Sequence, residues 1–343
     1  MRLTNRSLLR SVSSAAVLLC VAAPPSRAAE ESEDAPETRP RLGEGRHAYR
    51  WDGAWPRLDG DLGSTHGGIA FDANGNVYLQ TDTARAVMVF SPDGELLRTF
   101  GEEWGAGLHG IAVDVEGGRE FLWLCHTGLH AVLRATLDGE ETLRIGPPDE
   151  AGVYDRPEAF RPTGVCVAPD GDLYVADGYG LGYVHRFDRG GRWKATIGGP
   201  GAEPGRFRTP HGIGIDRRGD EPTLLVADRE NGRLQRFSLD GRHLAVIGEG
   251  ELRRPCAVAQ RGDFLVVPDL AGRVTILGRD DRVVVHLGDQ PDPALRAKHA
   301  VPRERWRAGE FLSPHGAAWD RHGNLFVVDW NASGRVTRLE RER

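Results

Sequence analysis

The 343-residue sequence has little cysteine and no long hydrophobic run. Its four cysteines are too few for a disulfide scaffold, and the apolar stretch at residues 15–23 is too short to span a bilayer. It contains no Gly-Lys-Ser phosphate loop, no dinucleotide-binding glycine fingerprint and no Cys-x-x-Cys pair. Long helices are disfavoured as well, because 45 glycines and 21 prolines are spread along the chain. These absences argue against a membrane span, a helical bundle and the common nucleotide-binding motifs.

The N-terminal residues have the layout of a secretory signal peptide. Arginines precede the apolar stretch at 15–23, and small residues lie before a cleavage position after Ala28. The sequence has no adjacent arginine pair there and no small residue directly before Cys20, which argues against twin-arginine export and lipidation. We predict that residues 1–28 are removed and that the soluble protein is exported, to the periplasm or outside the cell.

Export would change both the charge and the cysteine content of the protein. Residues 1–28 carry four arginines and no acidic residue, so their removal takes the net charge from −6 to −10 and argues against nucleic acid as a partner. Cys125, Cys166 and Cys256 would remain. Each lies in or beside an apolar strand pattern, so we predict that all three are buried and free.

The rest of the chain is predicted to be a short leader followed by a repetitive domain. Residues 29–45 are acidic and have no periodicity, which indicates a flexible leader before a folded domain at 46–343. The domain contains six similar units spaced by 42 to 59 residues, a period typical of propeller blades. The first apolar positions of the units are Ile69, Ile111, Val165, Ile213, Val258 and Ala317.

Each unit continues with a tight turn and further strands. Asn-Gly at 74–75, Asp-Gly at 170–171 and His-Gly at 322–323 supply the positive φ that hairpins need. Four antiparallel strands per unit predict an all-β fold, a six-bladed β-propeller. The sixth unit stops after its third strand, so we predict that residues 47–51 add the missing outer strand and close the ring.

The units resemble NHL repeats, a family that forms β-propellers. Within that family, the segments at 176–179, 209–212, 226–235 and 313–316 are similar to the lyase domain of peptidylglycine alpha-amidating enzymes. That domain is a zinc-containing six-bladed propeller that converts peptidyl-alpha-hydroxyglycine to a peptide amide and glyoxylate. The resemblance covers most of residues 60–340. It implies zinc ligands at His109, His211 and His315, a catalytic tyrosine at Tyr179 and a functional arginine at Arg229.

Three positions depart from the pattern of that family. Asp82 and Thr83 stand where the family has an arginine, and Arg85 is only nearby. Gly316 replaces an aspartate after the last zinc histidine, and Gly180 follows the tyrosine where the family has paired cysteines around this strand. These departures argue against calcium binding and against full lyase activity.

The three histidines also converge by position alone. Each immediately precedes the glycine that opens the innermost strand of blade two, four or six, and these blades lie 120° apart in a sixfold ring. Three imidazoles with a fourth position open are typical of a catalytic zinc site. Blades three and five have Thr163 and Cys256 instead, and His66 in blade one breaks the alternation, one residue further from its strand. The alternative interpretation is a solvated ring of histidines at the channel mouth.

Tyr179 and Arg229 have structural alternatives too. Tyr179 could accept a proton only if zinc and Arg229 stabilise its phenolate; otherwise it lines the channel and donates one hydrogen bond. Arg229 could bind a substrate carboxylate or pair with Asp228 or Glu230.

Aspartates and arginines recur at equivalent positions of several units, which favours a structural role for them. They are Asp177, Asp228, Asp269 and Asp329 at second-strand ends, and Arg233, Arg273 and Arg335 at third-strand positions.

Two functions from different classes therefore remain. The first is a zinc-dependent lyase that cleaves the C–N bond of alpha-hydroxyglycine-type small molecules or peptides. The second is a non-catalytic propeller that binds a peptide, glycan or protein on its rim. A lactonase-like hydrolase would require a carboxylate-based calcium centre on the axis, and the strand-opening positions hold histidines, Thr163 and Cys256 instead.

Overall fold

The computed structural model describes residues 39–342. These residues form β-strands, turns and short 3-10 helices, and none of their helices is long and apolar enough to cross a membrane. The predicted signal peptide at 1–28 and the leader up to residue 38 lie outside the described residues.

Within residues 39–342, seven 3-10 helices connect the strands: Gly45–His47, Glu102–Trp104, Asp149–Ala151, Pro157–Ala159, Arg229–Asn231, Pro293–Leu295 and Arg303–Arg305. The strands in chain order are β1 (Arg41–Leu42), β2 (Tyr49–Asp52), β3 (Thr65–Phe71), β4 (Val77–Thr81), β5 (Val87–Phe90), β6 (Leu96–Phe100), β7 (Leu108–Glu116), β8 (Arg119–His126), β9 (Ala131–Thr136), β10 (Glu141–Ile145), β11 (Gly164–Val167), β12 (Leu173–Ala176), β13 (Tyr183–Phe187), β14 (Trp193–Gly198), β15 (Pro210–Asp216), β16 (Thr223–Asp228), β17 (Arg233–Ser238), β18 (His243–Ile247), β19 (Ala259–Arg261), β20 (Phe264–Asp269), β21 (Arg273–Leu277), β22 (Val283–Leu287), β23 (Pro314–Trp319), β24 (Leu325–Asp329) and β25 (Arg335–Arg341).

These strands form six antiparallel sheets, one for each sequence unit. Blades one to five are β3 to β6, β7 to β10, β11 to β14, β15 to β18 and β19 to β22, in each case with the first strand innermost. Blade six has the order β23-β24-β25-β2-β1. The predicted six-bladed propeller with four-stranded antiparallel blades is thus confirmed.

An N-terminal strand closes the ring, as predicted. Strand β2 pairs antiparallel with β25, with Trp51 opposite Leu339. The strand begins at Tyr49 and not at residue 47, because residues 45–47 form a 3-10 turn.

The end of the predicted leader belongs to this sheet as well. Strand β1 pairs with β2, and Arg39 and Arg41 form ion pairs of 2.7 Å with Glu340 and Glu342. The compact unit accordingly starts at Arg39, before the predicted domain boundary at residue 46.

The hydrophobic core is divided among the interfaces between neighbouring blades. Six clusters of buried side chains fill these interfaces, and each combines residues from two adjacent sheets. One cluster joins blade six to blade one and includes Phe326, Val328, Leu79 and Phe90. Because burial of apolar surface is the main favourable contribution to folding, the contact between the last and first blades stabilises the ring as the other contacts do.

The recurring aspartates and arginines hold the loops on the side of the ring where the innermost strands begin. Asp228 accepts a hydrogen bond of 2.7 Å from the Arg208 amide and one of 2.9 Å from the Arg233 guanidinium. Asp177 likewise accepts bonds of 2.7 Å from the amides of Arg161 and Leu181. The predicted structural role is confirmed, and these bonds fix the loops that carry Tyr179 and Arg229.

Cys125, Cys166 and Cys256 are buried and free, as predicted.

Candidate metal centre on the propeller axis

The innermost strands of four blades contain a β-bulge directly after their first paired residue. A bulge re-aims the side chain that it carries, and it is frequent beside functional sites. Here the residue that follows the first pair is a histidine in all four blades. Cys256 follows the paired Pro255 in the same way in blade five, and Thr163 immediately precedes β11. We call these six positions the slot residues: His66, His109, Thr163, His211, Cys256 and His315.

Backbone contacts between blades bring the slot residues together. In blades two, three and four, the glycine after the slot residue packs against the slot carbonyl of the next blade. A Cβ at Gly110, for example, would lie 2.7 Å from the Thr163 oxygen. The same carbonyl accepts a hydrogen bond of 2.7 Å from Nδ1 of His109, and the Cys256 carbonyl accepts one of 2.8 Å from Nδ1 of His211. The His-Gly pair therefore has a structural reason: the glycine lets adjacent blades approach closely, and the histidine bonds across the gap.

The three predicted histidines meet in one cluster. The ring centroid of His211 lies 4.6 Å from those of His109 and His315, which are 5.1 Å from each other. All three are at most 4% exposed. His66, which sequence reasoning left outside, also belongs to the cluster, with its ring 4.5 Å from His109 and 5.0 Å from His315.

Two groups of possible ligand atoms are close enough to share a metal ion. In the first, one ligand atom each from His66, His109 and His315 lies within 4.8 Å of the others. In the second, the same holds for His211, Cys256 and His315. Neither group is the predicted trio, although each contains two of its members. His66 and Cys256 are thus candidate ligands that sequence reasoning missed.

The protonation of the imidazoles suits metal binding. A carbonyl oxygen only accepts hydrogen bonds, so Nδ1 carries the proton in His109 and His211, and Nε2 keeps its lone pair. Burial, together with neighbouring positive groups, holds the pKa of His109, His211 and His315 well below the usual value. Neutral imidazoles oriented by a backbone carbonyl are the form that a divalent metal ion binds, so this donor set is compatible with a metal.

Tyr179 lies against the same cluster. Its hydroxyl is 3.3 Å from Nε2 of His109 and 3.1 Å from Nε2 of His211, and it accepts a hydrogen bond of 3.2 Å from the guanidinium of Arg229. Burial raises the pKa of Tyr179, and the positive charge of Arg229 does not outweigh it. In the protein alone the phenol is therefore neutral.

Arg229 forms a loop salt bridge and also contacts Tyr179. Its Nε donates to Glu230 over 2.9 Å, which is the predicted alternative of a loop salt bridge, while Nη1 reaches Tyr179. Asp228 pairs with Arg233 instead. A second arginine, Arg161, lies 5.9 Å from the Tyr179 ring and is exposed.

The structure gives physical reasons for two departures from the family pattern. A Cβ at Gly316 would collide with the carbonyl oxygen of Gly67, and one at Gly180 would collide with the Asp177 carboxylate. Neither position has room for a larger residue without movement of the backbone or of a buried acid.

The third departure changes the charge near the cluster. Asp82 is 3.0 Å from Nδ1 of His66, and Arg85 donates to the Asp61 carbonyl over 2.7 Å at the surface. A carboxylate paired with a histidine thus stands where the family pattern has an arginine.

The histidines of the trio line a cavity of about 150 Å³ on the axis. It is lined by slot residues and by the residues that follow them, including Gly110, Val165 and Ile213. None of the slot residues that surround it has a carboxylate side chain, which differs from the carboxylate centre that a lactonase-like hydrolase would require.

Comparisons with known proteins agree with the repeat analysis. The family model described as NHL repeat matches residues 161–186, which include β11, β12 and all but the last residue of β13. The peptidylglycine alpha-amidating monooxygenase of Rattus norvegicus is 30% identical over 200 residues, which are 56% of this chain and 19% of the rat protein. The peptidyl-alpha-hydroxyglycine alpha-amidating lyase 2 of Drosophila melanogaster is 27% identical over 249 residues, 69% of this chain and 56% of the fly protein. The chain thus spans only a part of the length of these relatives.

The fold has solved counterparts. A gluconolactonase from Xanthomonas campestris superposes with a TM-score of 0.60 over 89% of this chain and 95% of its own, at 17% identity. At that identity the likeness concerns the fold alone. The chain contains an NHL repeat, folds as a six-bladed propeller, and is similar in sequence to amidating lyases.

Proposed function

We propose that the protein is an exported, zinc-dependent lyase that cleaves the C–N bond of an N-acyl-alpha-hydroxyglycine, releasing an amide and glyoxylate. Zinc ligands would come from the predicted trio His109, His211 and His315. Tyr179 would be the base, and Arg229 would bind the substrate carboxylate. The similarity to amidating lyases supports this reaction class.

One observation carries the proposal. The Tyr179 hydroxyl lies within hydrogen-bond distance of two buried imidazoles of the trio and of Arg229. His315 of blade six lies beside both imidazoles, so five residues from four blades converge on one small volume, although they are far apart in sequence. A phenol, neutral imidazoles and a guanidinium together form a site that could transfer a proton and bind an anionic substrate.

Zinc, when bound, would supply a Lewis acid that lowers the pKa of a substrate hydroxyl. Arg229 and the exposed Arg161 would attract the substrate carboxylate, because both guanidinium groups lie beside the Tyr179 ring. Glu230 would orient Arg229 through its bond to Nε. The side chains would thereby hold the hydroxyl-bearing carbon near the Tyr179 oxygen.

In its phenolate form, the Tyr179 oxygen would take the hydroxyl proton of the substrate. The electron pair left on the substrate oxygen then forms the aldehyde of glyoxylate as the C–N bond breaks. Tyr179 returns the proton to the leaving amide nitrogen. Burial raises the pKa of Tyr179, so this base role requires positive charge beyond Arg229 to stabilise the phenolate. A metal ion bound by the histidine cluster would supply this positive charge.

The test is glyoxylate release from an N-acyl-alpha-hydroxyglycine by the purified protein without a histidine tag. We expect slow release that a chelator abolishes and added zinc restores, with about one zinc per chain. The double variant His211→Ala with His315→Ala should lose both metal and activity, whereas the control His322→Ala, an exposed turn residue, should keep both. Background rates with fully zinc-loaded protein would refute the lyase and favour the propeller that binds a peptide, glycan or protein on its rim.

A further inference from the structure

We propose that His66, held by Asp82, is a fourth protein ligand of the metal ion bound by the histidine cluster. The inference rests on the metal site of the proposed function, but it concerns a residue outside the predicted trio. It changes the expected ligand set from three imidazoles to four.

The first support is the position of His66 in its blade. Thr65 pairs with Thr81 at the end of the second strand, as Leu108 pairs with His126 in blade two. In both blades the histidine is the next residue and enters the bulge. In blade one the bulge lies between Thr65 and Ile69, and it absorbs one residue more than the bulge between Leu108 and Ile111. The additional glycine therefore does not displace His66, which occupies the same slot as the other histidines.

The second support is distance. His66 lies between its ring neighbours, 4.5 Å from the His109 ring and 5.0 Å from the His315 ring. These separations are similar to those within the trio, which are 4.6 and 5.1 Å. Possible ligand atoms of His66, His109 and His315 all lie within 4.8 Å of one another. A metal ion that binds His109 and His315 is therefore within reach of His66 as well.

The third support is the hydrogen bond between His66 and Asp82. Asp82 Oδ2 accepts a bond of 3.0 Å from Nδ1 of His66, which leaves Nε2 as the ligand atom. A carboxylate behind an imidazole fixes the ring orientation and raises the basicity of the ligand nitrogen. Backbone carbonyls accept the corresponding bond from Nδ1 of His109 and His211. Each of the three histidines His66, His109 and His211 therefore has a partner on Nδ1.

Four imidazoles would make this site differ from an open three-histidine centre. A tetrahedral ion would have all its positions filled, so substrate could bind only with an expanded coordination number or after release of one histidine. His66 is the most accessible of the four, since its side chain is 20% exposed. It is thus the ligand that an incoming substrate would reach first.

The experiment uses the whole mature protein loaded with Co(II). In proton NMR of the paramagnetic complex, each imidazole bound through Nε2 contributes one strongly shifted exchangeable Nδ1–H signal. We expect four such signals in the wild type, three in His66→Ala and three in His211→Ala. Affinity for Co(II), measured by competition with a chelator, should fall at least tenfold in His66→Ala and about 10- to 100-fold in Asp82→Asn.

His299→Ala is the matched control. His299 stacks on Trp330 at a ring distance of 4.7 Å near His66, but it bonds to Ser64 and not to the cluster. This variant should keep four signals and wild-type affinity. Three signals in both the wild type and His66→Ala, or unchanged affinity in His66→Ala, would overturn the inference and leave the proposed function intact. A wild type that binds no metal would overturn both.

Discussion

Tyr179 is the residue on which the proposed chemistry depends, because its hydroxyl contacts two histidines and Arg229 at once. We expect Tyr179→Phe to lower kcat for glyoxylate release by about 10²- to 10⁴-fold, the usual contribution of a positioned base. Metal content should stay unchanged, since the imidazole ligands remain. The measurement is steady-state kinetics combined with metal analysis.

Tyr174→Phe serves as the control for this variant. Tyr174 lies on the second strand of the same blade, but its hydroxyl donates to the Leu239 carbonyl, away from the cluster. It should lose about 1 kcal/mol of stability and no activity. Equal rates for Tyr179→Phe and the wild type would show that the phenol only lines the channel.

The close backbone contact at Gly316 should make this position sensitive to substitution. A Cβ there would collide with the Gly67 carbonyl across the contact between blades six and one. We expect Gly316→Ala to lower the free energy of unfolding by about 1–3 kcal/mol or more, measured by urea denaturation, because the close approach of two backbones cannot relax freely. Gly146→Ala should be neutral, because Gly146 is exposed and its Cβ would meet no atom within 4 Å. A neutral Gly316→Ala would mean that this contact is looser than described.

Among the elements of the fold, the blade pair four and five is joined by a buried charge network. Asp216 at the end of β15 binds Arg218 and Arg236, and Asp281 in the turn before β22 binds both arginines, with all four contacts at 2.7 Å. Burial alone would raise the pKa of Asp216, but its bonds to Arg218 and the charge of both arginines lower it. Since the pKa of the folded state is depressed, this stabilisation is present above the unfolded value near 3.9 and is lost as the pH falls below it.

We expect Asp216→Asn to destabilise the protein by about 3 kcal/mol at neutral pH, because the buried guanidinium of Arg218 loses its main counter-charge. The difference in unfolding free energy between variant and wild type should shrink as the pH falls below about 4, because the unfolded wild-type chain then binds a proton at this carboxyl group while the folded protein still holds it charged. Asp263→Asn, which removes an exposed ion pair with Arg279 on blade five, should cost no more than about 1 kcal/mol. Urea denaturation at several pH values gives the free energy of unfolding of the wild type and of both variants. A difference that is independent of pH would contradict the assigned role of the Asp216 charge.

The elements also show what the sequence could and could not predict. The strands and turns of the blades were predictable because alternation and Asn-Gly or Asp-Gly pairs are local signals. Strand β1 was missed because two residues carry no alternation, and its ion pairs join residues at opposite ends of the described chain. The place of His66 in the cluster could not be predicted, because counting residues from the strand cannot reveal how many a bulge absorbs. The convergence of the trio followed from blade number alone, but the contacts of Tyr179 and the pairing of His66 with Asp82 depend on loop geometry.

At the scale of the whole molecule, the ring closure and the candidate site depend on each other. Strand β2 completes blade six, and its Trp51 packs on Phe311 with ring centroids 4.9 Å apart. Blade six in turn presents His315 beside His66 of blade one, and the backbones of Gly316 and Gly67 are in contact at that point. An opening between these blades would therefore separate two candidate metal ligands as well as expose a sheet edge.

Truncation tests this dependence. A protein that starts at residue 39 should be as stable as one that starts at residue 29, and one that starts at 46 should lose little stability, because it gives up the short β1 and partly exposed ion pairs. A start at 56 removes β2 together with Tyr49, Trp51 and Trp55, which are buried in two blade interfaces. We expect this last protein to unfold at much lower urea concentration, to associate through the free edge of β25, and to bind Co(II) more weakly than the protein that starts at 46.

A synthetic peptide of residues 39–55 should restore stability and metal affinity together by adding the missing strand. Equal stability of the proteins that start at 46 and 56 would rule out the closure, and restored stability without restored metal affinity would separate the site from it.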